Sequence, residues 1–245
     1  MTYMFDKKKN FIFDLYGTLV DIRTDENLPY LWSTMARYYS MKGAVYTEDE
    51  FREEYGRLCR EQAKAAAGKS KKSSSKLSAD EVEIDLGEVF RELFTQKGSK
   101  VFQSEVDAAA LTFRCISICK LGLYPGAKEL LTKLKDQGKK LYLFTNAQSI
   151  FTIPELESLE IYDMFDGIVI SSDIGVKKPS KAFFTTAMKG LKAKESVIIG
   201  NDEFADVRGG MAAGLEACYI QTEQSPTMAR NLPCQEIKSL LDILD

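Results

Sequence analysis

Four separate stretches of this chain carry side chains that could do chemistry together. Asn10-Phe-Ile-Phe-Asp14 is an apolar run that ends in a carboxylate and is followed by Tyr16, Gly17 and Thr18. Thr145-Asn146 closes a second apolar run, Lys178 stands before Pro179, and Gly200-Asn-Asp-Glu-Phe-Ala-Asp206 gathers acids behind another. The chain has no histidine at all. Ser-His-Asp and Cys-His triads, histidine zinc sites and histidine bases are therefore excluded. Carboxylates, lysine, hydroxyls and a hard metal ion remain.

That set suits phosphoryl transfer. An Asp carboxylate that attacks phosphorus forms an aspartyl phosphate and splits one difficult displacement into two easier ones. Two anions repel, so the attack needs positive charge. Mg2+ held by Asp14 with Asn201, Asp202 and Asp206 would supply it through hard oxygen ligands. Lys178 would neutralise a further phosphate oxygen and keep Asp14 ionised. The Thr145 hydroxyl and the backbone N–H groups after it would bind the other oxygens. Asp14, Thr145 and Lys178 are thus the expected catalytic residues, with Tyr16, Gly17, Thr18 and Asn146 as substrate contacts. Each has a plainer reading as well: Asp202 and Thr145 as helix caps, Lys178 as a solvated lysine. Their order along the chain and their places at strand ends argue for a site.

The elements that must position them are visible as alternation. Besides the run at Asn10, apolar runs occur at Lys140–Thr145, Gly167–Ile170, Ser196–Gly200 and Glu216–Ile220. They lack polar alternation, as strands buried on both faces do. Helical patterns lie between them, one opened by Pro125-Gly126 with Leu130, Leu131 and Leu134, one opened by Pro179, and one from about Asp202 to Gly214. The spacing predicts a doubly wound α/β domain with a parallel sheet. Residues 22–122 break the rhythm with four helical patterns and no convincing buried strand. Their stripes are Leu31/Trp32/Met35/Ala36/Tyr39, Phe51/Tyr55/Leu58, Leu86/Val89/Phe90/Leu93/Phe94 and Val106/Ala109/Phe113/Ile116. Thr47-Glu-Asp-Glu50 reads as a capping box opening the second. The expected organisation is a core of residues 1–21 and 123–245 with a helical bundle, 22–122, inserted after the first strand. Ligands of open α/β sheets bind beyond the carboxyl ends of the strands, so the insertion would lie over the site. Gly68–Lys76, basic and rich in serine, reads as a mobile loop.

Composition narrows the setting. A net charge of −3 gives no electrostatic case for nucleic acid or an anionic membrane, and no apolar run reaches the ~20 residues that span a bilayer. The five cysteines include no C-x-x-C pair. Cys115 and Cys119, four apart, read as small buried residues on one helix face, in a reducing, cytoplasmic chain.

Phe13-Asp-Leu-Tyr-Gly-Thr-Leu-Val20, Tyr124-Pro-Gly-Ala127, Thr145-Asn146, Gly175-Val-Lys-Lys-Pro179 and Gly200–Asp206 together closely resemble the successive motifs of the haloacid dehalogenase-like (HAD) superfamily. The helical insertion looks like that family's C1-type cap. The resemblance implies a phosphatase-like hydrolase with Asp14 as nucleophile, Thr145 and Lys178 on the phosphoryl group, and Mg2+ as cofactor. It also implies the backbone carbonyl of Tyr16 as a metal ligand and a small phosphorylated molecule as substrate. Two positions depart from the pattern. The family's phosphatases carry a second Asp, a general acid and base, where this chain has Tyr16, and an Asp where it has Asn201. A tyrosine with a pKa near ~10 is a poor base at neutral pH, and general acid–base help is worth ~10²–10⁴-fold. Slow phosphatase activity is the expectation. Metal-independent 2-haloacid dehalogenases, which also carry this tyrosine, are one alternative, although they have a tyrosine where this chain has Phe184. A catalytically reduced protein that binds phosphate and Mg2+ is another. Phosphoacceptor receiver domains share the chemistry but place their metal acids on the first strand, the reverse of the order here.

Overall fold

The computed structural model describes residues 4–70, 77–226 and 232–244. Its centre is a six-stranded parallel sheet. The strands are β1 (Asn10–Phe13), β4 (Lys140–Thr145), β5 (Gly167–Ile170), β6 (Ser196–Gly200), β7 (Glu216–Ile220) and β8 (Gln235–Ile237), in the order β5-β4-β1-β6-β7-β8. β2 (Val20–Thr24) and β3 (Ile118–Leu123) form a separate antiparallel ribbon. The helices are α1 (Pro29–Met41), α2 (Glu48–Ser70), α3 (Leu86–Thr95), α4 (Gln103–Ser117), α5 (Ala127–Asp136), α6 (Ser149–Ser158), α7 (Ser171–Ile174), α8 (Lys181–Ala187) and α9 (Gly209–Ala212).

The apolar runs are continuous because the sheet is covered on both sides. Successive side chains of a strand point to opposite faces, so Phe11 and Phe13 enter one core with Leu130, Leu131 and Leu134 of α5. Ile12 enters the other, with Phe183 and Phe184 of α8. β1 lies between β4 and β6, which places Asp14 at the middle of the sheet's carboxyl edge. The strand order reverses beside β1, and that is where a doubly wound sheet opens a crevice.

The four insertion helices pack around the aromatic stripes. Tyr39 stacks on Phe94 at 3.9 Å between ring centres, and its hydroxyl donates to the Phe90 carbonyl at 2.9 Å. Trp32, Tyr55, Phe90 and Phe113 complete the cluster. The Thr47–Glu50 box is present, with Thr47 N–H donating to Glu50 Oε2 at 2.8 Å and Glu50 N–H to Thr47 Oγ1 at 3.2 Å.

Several expectations need correction. Residues 22–122 do contain strand: β2 and β3 frame the insertion, half exposed and without clear alternation. Cys115 lies in α4 but Cys119 lies in β3, and both are exposed rather than buried on one helix face. α2 continues to Ser70, so Gly68–Ser70 are helical, and the rest of the Ser/Lys stretch, 71–76, lies outside the described residues. α6 was not expected, because Pro154 stands inside it, where it removes a helical N–H and ordinarily breaks the pattern. Its Phe151 joins the insertion's aromatic core.

Candidate active site

The ladder carries Asp14 into the crevice. Its N–H donates to the Ile199 carbonyl at 2.9 Å, one register step past β1, and its side chain turns into a pocket of about 160 Å³. Asp14, Thr145, Lys178, Asn201 and Asp206 all line that pocket. Lys178 arrives from the loop between α7 and α8 and is 4% exposed. Its Nζ donates to Asp14 Oδ1 at 2.7 Å, Asp206 Oδ1 at 2.5 Å and the Phe144 carbonyl at 2.7 Å. All three ammonium hydrogens are therefore used. Burial favours neutral lysine, but the Asp14 and Asp206 carboxylates outweigh it and hold Lys178 above its ordinary value. Asp206 is pushed up to about 7, by burial first and by the Asp14 charge, against the pull of Lys178. Two buried carboxylates share one ammonium, so Lys178 offsets only part of the cost of burying the Asp206 charge beside Asp14.

The motif glycines make room for this contact set. Gly17 has φ +83°, and a Cβ there would lie 2.2 Å from Asn201 Nδ2. A Cβ on Gly200 would lie 2.1 Å from Asp206 Oδ2. Thr18 Oγ1 reaches Asp14 Oδ2 and Asn201 Oδ1, both at 3.3 Å. Asn146 is used differently from the expectation. Its amide donates to the Lys178 carbonyl at 3.0 Å and accepts from Lys178 N–H at 2.8 Å, which clamps the lysine's backbone.

The acids of the last motif separate. Asp202 is an N-cap: its Oδ1 accepts from Phe204 N–H at 2.7 Å and Ala205 N–H at 2.9 Å, and opens the π-helical turn Glu203–Arg208. Glu203 pairs with Arg208. Asp202 still lines the pocket, and Asp206 shares Lys178 with Asp14, with its Oδ2 held by Asp202 N–H at 3.1 Å. Among the described residues no three Asp, Glu or Cys side chains gather closely enough to hold a metal by themselves. The oxygen donors that line the pocket include the Asp14, Asp202 and Asp206 carboxylates and the Asn201 amide, with Tyr16 beside them. They fit Mg2+, a hard ion that takes one or two carboxylates and fills its shell with water and phosphate oxygens. The excess negative charge between Asp14 and Asp206 also calls for a cation.

Tyr16 lines the pocket, and its hydroxyl is engaged by α6. It donates to Glu155 Oε2 and contacts Thr152 Oγ1 at 3.0 Å, both on α6. Glu155 is 5% exposed, and its Oε1 accepts from Arg114 Nε of α4 at 2.6 Å. Burial, and then the Glu155 charge, raise the Tyr16 phenol above its ordinary value. None of Glu155, Thr152 and Arg114 was expected from sequence, nor was Gln224. That residue lines the pocket from the loop after β7 and donates to Asp21 Oδ1 at 2.7 Å. Its one sequence signal is its position beyond the carboxyl end of a strand. Of the insertion aromatics, Trp32 and Tyr39 are buried in the bundle and Tyr30 is exposed. A larger open groove of about 640 Å³ lies between α3, α4 and α6, where Arg91, Leu111 and Pro154 line it away from Asp14.

The family model for haloacid dehalogenase-like hydrolases matches residues 8–214. The chain belongs to that family. Bacillus subtilis YfnB, described as a HAD-hydrolase, is 30% identical over 149 residues, 59% of this chain and 63% of that protein. The glyceraldehyde 3-phosphate phosphatase of Methanothermobacter thermautotrophicus is 28% identical over 152 residues, 55% of this chain and 67% of that enzyme. The chain spans 45–67% of the lengths of the first curated relatives it matches. The magnesium-bound crystal structure of YfnB superposes with a TM-score of 0.53 and 20% identity over 97% of each chain. The 2-haloacid dehalogenase of Pseudomonas syringae pv. Tomato superposes with a TM-score of 0.60 and 20% identity over 97% of this chain and 98% of the other. HAD phosphatases and dehalogenases thus share this fold, and fold alone does not choose between them.

Proposed function

We propose that this HAD-like hydrolase is a Mg2+-dependent phosphatase of a small phosphorylated metabolite, acting through an aspartyl phosphate on Asp14. The observation that carries the reading is the Lys178 ammonium shared between Asp14 and Asp206 in a 160 Å³ pocket. Asp14 Oδ1 is pinned by Lys178, whereas Oδ2 has only a 3.3 Å contact with Thr18. Oδ2 attacks phosphorus, an O–P bond forms, and the substrate's ester oxygen leaves with the electron pair. Thr145 and the turn after it orient the phosphoryl oxygens. Asp14, Asp206, Asn201 and the Tyr16 carbonyl would hold Mg2+, which screens the approaching anions and polarises the phosphoryl group. Water then cleaves the Asp14 ester. Neither proton transfer has an efficient donor or acceptor, since the Tyr16 phenol is raised and tied to Glu155. Turnover of unactivated esters is accordingly slow. We assign residues 22–122 as a cap over a core of 1–21 and 123–245. The five free thiols accord with a cytoplasmic setting.

Hydrolysis of an aryl phosphate in Mg2+, abolished by EDTA and by Asp14→Asn, is the expected result. Unchanged activity in Asp14→Asn would remove the nucleophile assignment. Tyr16 and Asn201 favour a second reading, in which Asp14 displaces halide from the carbon of a 2-haloacid without metal. Halide release in EDTA would establish it. If neither reaction occurs but the protein binds Mg2+ with fluoroberyllate, the protein is a non-catalytic phosphate binder.

A further inference from the structure

Glu155 is a buried acid with no part in the chemistry above. It sits on α6 between two worlds: Tyr16, two residues beyond Asp14, and Arg114 of the insertion helix α4. The Arg114 guanidinium lies 4.8 Å over the ring of Phe151, which packs with Trp32, Phe90 and Phe113 in the insertion core. One face of α6 thus belongs to the insertion, and its Thr152–Glu155 side belongs to the nucleophile loop. A second seam flanks the other side of the site. Glu83 N–H donates to the Gly175 carbonyl at 3.0 Å, and Lys177 N–H to the Glu81 carbonyl at 2.8 Å, immediately before Lys178.

A buried carboxylate is costly unless its oxygens are paired. Glu155 is paired on both, with one charge-assisted bond from the insertion and one hydrogen bond from the loop. The loop backbone is tied by Gly17 N–H to the Val20 carbonyl and by Thr222 Oγ1 to the Gly17 carbonyl, both at 2.8 Å, whereas the Tyr16 hydroxyl is held from α6 alone, by Glu155 and Thr152. We propose that Glu155 is a positioning residue: the Arg114–Glu155–Tyr16 chain transmits the docking of the insertion to the nucleophile loop. It selects the loop conformation that presents Asp14. The catalytic consequence rests on Asp14 being the nucleophile, whereas the positioning itself does not.

The test uses the full chain with Tyr16→Phe, Glu155→Gln, Arg114→Gln and Arg114→Lys. Amide hydrogen exchange is read by mass spectrometry for peptides covering 15–20, with 140–145 as the control. The expected result is exchange at least about tenfold faster at 15–20 in the first three variants, unchanged exchange at 140–145, and partial recovery in Arg114→Lys. With aryl phosphate, kcat is expected to fall about tenfold with KM within twofold, since misplacement of reacting groups costs rate more than binding. The double variant Tyr16→Phe/Glu155→Gln should be no slower than the slower single variant, as residues in one chain are not additive. Unaltered exchange at 15–20, or multiplicative losses in the double variant, would overturn the proposal. If Glu155→Gln does not fold, Tyr16→Phe, which removes a single oxygen, decides. If the wild type hydrolyses no phosphate ester, the phosphatase reading falls and the exchange result still decides this one.

Discussion

Replacing Lys178 with methionine tests the charge balance of the site more directly than any catalytic assay. Methionine keeps most of the volume, so the change is mainly electrostatic. It removes three donors and leaves Asp14 and Asp206, with side chains 10% and 1% exposed, facing each other without a cation. Two effects oppose. The cost of burying the ammonium disappears, which stabilises the variant, while at a pH of about 8.5, above the value of about 7 for Asp206, the pair must carry a second uncompensated charge or take up a proton, and either destabilises it. Breaking a buried ion pair by removing one partner costs about 3–5 kcal/mol, so the second effect wins. For a protein of this size that corresponds to a fall in Tm of about 6–20 °C. The assay is thermal unfolding in EDTA followed by circular dichroism, and the control is the double variant Lys178→Met/Asp206→Asn. Removing the second carboxylate returns the site to a single charge, so the double variant should recover most of the loss. Mg2+ should also recover part of it. A fall of less than about 2 °C, or no recovery in the double variant, would refute the reading of a charged, buried Asp14–Lys178–Asp206 set.

Three further outcomes are expected. Gly17→Ala should cost about 1–3 kcal/mol and at least tenfold in kcat, because Gly17 has φ +83° and its Cβ would meet Asn201 Nδ2 at 2.2 Å; chemical denaturation and aryl phosphate kinetics check both. In the native protein a thiol reagent at pH 8 should modify exposed Cys115 and Cys119 first, and leave buried Cys218 unmodified. Cys59 should react slowly because burial pushes its thiol up to about 11, and peptide mapping after brief labelling reads the order. Tyr16→Asp gains a proton shuttle worth about 10²–10⁴-fold and loses the Glu155 contact, worth about tenfold, so hydrolysis of alkyl phosphates should rise by about 10–10³-fold and competitive inhibition by inorganic phosphate should weaken; no gain in rate would show that more than the proton shuttle is missing.

The catalytic strands were legible because a strand buried on both faces writes an uninterrupted apolar run. β1 and β6 are buried at every position, and so their ends could be placed. β2 and β3 are ribbon strands with one wet side, where Lys120 pairs with Asp21, so their composition resembles that of the surface. β8 is only three residues long, and α6 is hidden by Pro154. Within the site, proximity in sequence suggested three acids for a metal, but a helix start needs a cap and an exposed arginine attracts a partner. Those needs engage one oxygen of Asp202 and pair Glu203 with Arg208, and Asp206 is the acid that shares Lys178 with Asp14. The Tyr16–Glu155–Arg114 chain joins residues 41 and 139 positions apart. Such a contact is set by how α4 and α6 dock, and local pattern carries no trace of it.

The two departures from the phosphatase motifs act in one direction. Tyr16 and Asn201 each put a neutral side chain where a carboxylate would stand, so the acids that line the pocket are Asp14, Asp202 and Asp206, the first and last of them bound by Lys178. An added carboxylate ~4 Å from a phosphoryl oxygen would repel it by about 4 kcal/mol at an effective dielectric of ~20. Its absence therefore favours binding of a phosphoryl group. The same absence removes the proton donor and base, which lowers the rate. On the phosphatase reading proposed above, affinity and turnover are thus pulled apart. The Glu155 contact extends this, since it keeps the Tyr16 hydroxyl bonded to a carboxylate rather than free to meet the leaving oxygen.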